Sequence, residues 1–168
     1  MFVSILLLMK SLSKNYYFFI KYNIIMIEII SGLWLSTQKG ANNTQIINKN
    51  NIEIIINCNK YLNYSSHKYN SPLKEEIENK EIVHTIKFLI KITKYIYDNL
   101  NQNINILIYC HNNISISIGV AIAYIMKYGK INKNLVVHSL KTKVSNIPIS
   151  KILNESLNLF QKYLDRNN

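Results

Sequence analysis

An α/β fold, with a central and mostly parallel sheet flanked by helices, is what this sequence predicts, on three observations. Two short runs, Asn51–Cys58 and Asn105–Cys110, are rich in isoleucine and apolar without clean alternation, as strands are when helices cover both faces of a sheet. Between them, Ile82, Ile86, Leu89, Ile90, Ile96 and Leu100 recur at helical spacing, which predicts a crossover helix with one face on that sheet. The second run stops at Cys110, crosses a polar loop and is expected to turn helical from about Ser117 through Met126.

The 168 residues are enough for one domain with its own core, divided here into an apolar N-terminal extension, 1–26, and a domain, 27–168. Hydrophobic residues make up 48% and charged residues 17%, a globular balance. Lys and Arg outnumber Asp and Glu by 20 to 9, a net charge of +11, and a positive field attracts polyanions and phosphorylated partners. The lysines are scattered, however, without the block that marks a nucleic-acid arm or an interleaved aromatic-basic signature. The abundance of Ile, Asn and Lys reads as the codon bias of an AT-rich genome, so nucleic acid is disfavoured as a partner. The two cysteines, Cys58 and Cys110, make no disulfide framework and sit in no metal-binding spacing. No metal and no cofactor are expected, and a reducing, intracellular and cytoplasmic setting is.

In chain order, Met1–Ile30 is strongly apolar, but Lys10, Lys14 and Lys21 interrupt it before any run is long enough to cross a bilayer. It lacks a charged start and a small-residue cleavage site. A helix is expected there, and its apolar and aromatic residues mixed with Lys would also suit a membrane surface, as a minor reading. Ile27–Ser36 reads as two short strands around Gly32, with Trp34 in the core. Cys58, closing the next strand, reads as a small buried hydrophobe. Asn59–Lys74, polar and containing Pro72, reads as loop, and a helix follows from about Glu76 to Leu100. Lys133–Lys143 is a short helix. Ser150 is the candidate cap of the last one, whose buried stripe is Ile152, Leu153, Leu157, Phe160 and Leu164.

The chemistry concentrates after the Asn105–Cys110 strand. A strand, a short loop and a helix N-terminus together make an anion socket, because loop and first-turn amides point inward without another partner. A cysteine at the mouth of such a socket is favoured as thiolate, the attacking form. The order here is Tyr109, Cys110, the five residues His111, Asn112, Asn113, Ile114 and Ser115, then Ile116 and Ser117, with Ala123-Tyr124-Ile125-Met126 further along the helix. This stretch resembles the dual-specificity branch of the cysteine-dependent protein tyrosine phosphatases, whose motif is His, the nucleophilic Cys, five residues, Arg, and Ser or Thr. The likeness runs from about Ile27 to Leu164. Val137-His138-Ser139-Leu140-Lys141 is similar in particular to the poxviral members. Ala41 and Asn42 resemble the start of the family's next short helix.

The resemblance implies a protein tyrosine phosphatase-like fold, and it implies roles residue by residue. Cys110 takes the nucleophile's place, Ser117 that of the hydroxyl that steadies the thiolate, and His111–Ser115 form the phosphate-binding loop. Glu75, in Ser71-Pro72-Leu73-Lys74-Glu75, falls where the family places the aspartate that protonates the leaving oxygen. A phosphoprotein partner follows from the same likeness, as does homodimerisation through the N-terminal segment and, if the chain is viral, a place in the virion.

Three departures bear on activity. The arginine position, 116, holds Ile116, and the chain's single arginine is Arg166. Isoleucine cannot grip two phosphate oxygens or offset the charge of the transition state. Glu75 carries one methylene more than aspartate, and as first-turn acids of the next helix Glu75 and Glu76 have an ordinary structural role too. Tyr109 removes the histidine beside the cysteine. Asn113, standing where the family has glycine, is the least costly substitute at a positive φ. The alternation of Ile114, Ile116 and Ile118 puts an apolar plug in the expected pocket. The leading expectation is thus a catalytically impaired or inactive dual-specificity phosphatase acting as a binding or scaffold module. The alternatives are a slow phosphatase using Cys110, with Lys127 or Lys141 standing in for the clamp, and a basic module for nucleic acid or a membrane surface.

Overall fold

The computed structural model describes residues 26–58, 82–110, 114–144, 147 and 149–167. The first strands, β1 (Met26–Ile30) and β2 (Leu33–Thr37), are joined through Gly32. Gly32 sits at φ 77°, a backbone conformation that favours glycine, and a Cβ there would lie 3.0 Å from Leu100 Cδ2, a tight contact. Its N–H donates to the Glu28 carboxylate at 2.9 Å. Met26 already pairs with Ser36 and belongs to the sheet, one residue inside the segment assigned to the extension. Residues 1–25 of that extension lie outside the described residues.

Two short helices follow, α1 (Gln38–Ala41) and α2 (Thr44–Lys49). Thr37 caps the first, its Oγ1 accepting from Gly40 N–H, and Asn43 caps the second, accepting from Ile46 N–H. Ala41 therefore ends a helix rather than beginning one, because Thr37 caps a helix that starts at Gln38, three residues earlier. Strand β3 (Ile52–Asn57) leads, beyond the undescribed residues 59–81, to the long helix α3 (Ile82–Leu100), then β4 (Asn105–Cys110). Helices α4 (Ile114–Gly129), α5 (Lys133–Lys143) and α6 (Lys151–Asn167) complete the chain. Asn132 caps α5, and Ser150 Oγ accepts from Leu153 N–H at 3.2 Å at the start of α6.

The four strands stand in the order β1-β2-β4-β3, with β1 antiparallel to β2 and the other pairs parallel. The sheet is thus mixed but mostly parallel, flanked by helices. Its main face, with Ile29, Leu33, Leu35, Ile54, Ile56, Ile106 and Ile108, packs on α3, α4 and α6 through Leu89, Ile96, Ile122, Leu157 and Phe160. The second face carries Leu107, Tyr109, Ile52 and Ile55, with Ala41 of α1, Ile47 of α2 and Trp34 against them. Trp34 is half-buried there, and its indole Nε1 is buried without a hydrogen-bond partner. At Gly119 of α4 an added Cβ would lie 2.7 Å from Leu153 Cδ1, so the absence of a side chain is what lets α6 close on α4.

Candidate active site

Strand β4 ends at the carboxyl edge of the sheet, the edge where open α/β sheets place their ligands. The register builds two rows across it. Ser36, Tyr109 and Asn57 stand abreast on β2, β4 and β3, all three buried. One step further, Thr37 pairs with Cys110 on one side. On the other, Cys58 continues the β3–β4 ladder, its N–H donating to Tyr109 O at 2.7 Å. Cys110 and Cys58 are both buried and both belong to the main core cluster. Burial pushes the Cys58 thiol well above its ordinary range, and the neighbouring Cys110 adds to the effect.

Helix α4 begins at Ile114, so residues 111–113 alone separate the cysteine from it. The expected start near Ser117 is corrected: Ile114 and Ser115 lie in the helix backbone rather than in a loop. No glycine or proline interrupts Ile114–Ile118, and an asparagine, a helix-starting residue type, precedes it. The positive end of a 16-residue helix is thereby set close after Cys110. Ser117 is completely buried, whereas Ile116 is half-buried and packs against the main core. Position 116 is thus occupied by a side chain held through apolar contact.

Arg166 is exposed in the last turn of α6. Lys127 sits 13 residues along α4 from Ile114, roughly 20 Å at 1.5 Å per residue, and its ammonium donates to Ile90 O at 3.4 Å. Lys141 is exposed on α5. Lys127 therefore cannot stand in for a clamp beside Cys110. Glu75, His111, Asn112 and Asn113 lie outside the described residues, as do the side chains of Ile114 and Ser115. Among the described residues no cluster of three or more His, Cys, Asp or Glu could hold a metal ion, and no helix is long and apolar enough to cross a membrane.

The neighbour of Cys110 that sequence reading missed is Cys58. One signal could have found it: each cysteine is the terminal residue of its run, and the two runs are joined by one crossover helix, which tends to place its strands side by side.

With this geometry in place, comparison with known proteins decides the family. The model of the dual-specificity phosphatase catalytic domain matches residues 33–163. The chain belongs to the dual-specificity phosphatase family. Comparison with curated sequences finds no match. Among solved structures, a single-substitution form of human DUSP28 superposes with a TM-score of 0.73 at 12% identity, over 86% of this chain and 99% of that one. A leucine-rich repeat and phosphatase domain-containing protein of Entamoeba histolytica gives 0.67 at 21% identity, over 86% and 95%. The human tyrosine phosphatase-like serine/threonine/tyrosine-interacting protein gives 0.67 at 19% identity, over 82% and 96%. At these identities the likeness to each is one of fold.

Proposed function

We propose that this dual-specificity phosphatase-fold chain has lost efficient phosphoryl transfer and serves as a binding or scaffold module for a phosphoprotein or another protein partner. The observation that carries the reading is Ile116, a half-buried apolar side chain packed on the core where the family motif has its arginine. Loss of such a clamp costs on the order of a hundredfold to a hundred-thousandfold in rate. The placement of Arg166 at the end of α6 and the tether of Lys127 to Ile90 O support it, since neither cation is available to compensate. The human interacting protein is itself named tyrosine phosphatase-like, so the fold is compatible with a role in interaction. Contact with a second copy through the apolar residues 1–26 belongs to the same proposal.

A second reading, a slow phosphatase, draws support from Cys110 at the carboxyl edge of the sheet with the α4 N-terminus close behind it. Hydrolysis of an aryl phosphate by the unaltered chain, Cys110→Ser and Ile116→Arg separates the two. The proposal expects the first two to match the buffer rate and the third to gain turnover. Cysteine-dependent turnover by the unaltered chain would favour the slow enzyme.

A further inference from the structure

We propose that the outer face of α3 is a docking surface for an acidic, carboxylate-rich segment of another protein. Lys87, Lys91 and Lys94 follow one another at spacings of four and three residues, which sets their side chains in one line along a helix. All three are exposed. The line runs roughly 10 Å along the helix axis at 1.5 Å per residue. Lys127 of α4 joins it at the Lys94 end, where its ammonium donates to Ile90 O at 3.4 Å and feels the charges of both Lys94 and Asp98. Asp98 is the one acid in α3, and Lys94 holds it at 2.6 Å. Among the described residues neither Lys87 nor Lys91 has an ion-pair partner. Four lysines against one aspartate leave this face with an excess of positive charge.

Like charges one helical turn apart weaken a helix, and a face built for solubility alone mixes its signs. Carboxylates from a partner relieve that repulsion. An extended segment with an acid at every second residue spaces its carboxylates about 6.7 Å apart, close to the roughly 6 Å rise between Lys87 and Lys91. Two other polyanions fit less well. Single-stranded nucleic acid is held by aromatic faces beside the cations, but Tyr97 and Tyr128 are stacked on each other, with centroids 4.1 Å apart and planes 9° from parallel, and the Lys127 ammonium lies 5.1 Å from the Tyr128 centroid. A membrane surface calls for bulky apolar side chains among the lysines. Apart from Tyr97, the exposed ones among the described residues are Leu135 and Leu159, on α5 and α6. The docking surface gives the binding role proposed above a place and a partner chemistry. It uses neither Cys110 nor Ile116, so it holds whether or not the chain turns over phosphate esters.

The test follows the fluorescence anisotropy of a labelled Glu-Gly repeat peptide, free of phosphate, titrated with the full reduced chain. The proposal expects saturable binding that weakens with added salt. Replacing Lys87, Lys91 and Lys94 together by Gln should lower the affinity by roughly tenfold or more, at a few-fold per exposed ion pair. The same change of charge at Lys49, Lys151 and Lys162, exposed on α2 and α6, should lower it far less. Should the first triple variant not fold, Lys91→Gln alone decides, with an expected loss of a few-fold. Absence of binding, equal losses in the two triple variants, or tighter binding of oligouridylate or of phosphatidylserine vesicles than of the peptide through the α3 lysines would each overturn the proposal. The readout is binding alone, so its failure leaves the loss of phosphoryl transfer standing, and turnover in the aryl phosphate assay leaves this surface standing.

Discussion

The two ends of α4 differ in what they offer a charge. At its start, close after Cys110, stand Ile116 and Ser117, half-buried and buried, with no cationic side chain in the first two turns. At its far end, Lys127 reaches Ile90 O and lies 5.1 Å from the Tyr128 ring centroid. Tyr128 in turn stacks on Tyr97 of α3 with centroids 4.1 Å apart, and Tyr124 leans on it at 5.3 Å. A cation at the carboxyl end complements the helix dipole, so α4 is charged as a stable helix should be. A phosphate-ester catalyst also needs a cation at the other end. The contrast teaches that the contacts holding α4 in this fold do not depend on a cationic side chain in its first two turns.

The largest effect is expected where the two requirements collide. Ile116→Arg should raise Cys110-dependent aryl phosphate turnover by on the order of a hundredfold or more, while Ile116→Lys gains far less because a point charge lacks the planar fork. Equal gains from both, measured as kcat/KM, would break the comparison. Next comes packing. Gly119→Val puts a methyl-bearing carbon into Leu153 and should cost about 1–3 kcal/mol in denaturant unfolding, with part of the loss returned by Leu153→Ala in the same chain.

The far end of α4 gives a smaller, pH-dependent effect. Burial first, then Tyr128 and Tyr97, raise the Tyr124 phenol from 10.0 to about 12. A group whose folded pKa is raised lends stability that is complete below its unfolded value and lost as pH climbs through the folded one. Stability should therefore decline between pH 10 and about 12, and Tyr124→Phe should flatten that decline in unfolding curves taken across the window. An unchanged slope would mean that Tyr124 ionises like a free tyrosine. Smallest is the exposed Lys94–Asp98 pair at 2.6 Å: Asp98→Asn should cost no more than about 0.3–0.5 kcal/mol, less in added salt.

Much of the scaffold was legible because its signals are local. Lys133–Lys143 and the Ser150 cap of α6 follow from polar residues that satisfy the first-turn amides beside them. The apolar runs of β3 and β4 announce strands covered on both faces. The carboxyl-edge cysteine is legible for the same reason: it ends its run. What could not be read depends on partners distant in sequence. The adjacency of Cys58 and Cys110 is a property of strand order and register, and the tie from Lys127 to Ile90 O spans two helices. A buried lysine was missed likewise. Lys143 donates to Ile29 O at 2.8 Å, joining α5 to the edge strand β1, although burial lowers its pKa. The beginning of α4 differs from the expected start near Ser117 for another reason: Ile114–Ile118 alternates Ile with Ser, a pattern with no helical period of its own, yet the helix already starts at Ile114.

The central claim, that an isoleucine at position 116 leaves Cys110 unable to accept a phosphoryl group at a useful rate, is tested most directly by rapid acid quenching. The reduced chain is mixed with excess aryl phosphate and its intact mass is followed from milliseconds to minutes, with Cys110→Ser alongside. The account predicts two unmodified proteins and no burst of the phenolic product. A phosphorylated Cys110 accumulating with a stoichiometric burst in the unaltered chain alone would contradict it.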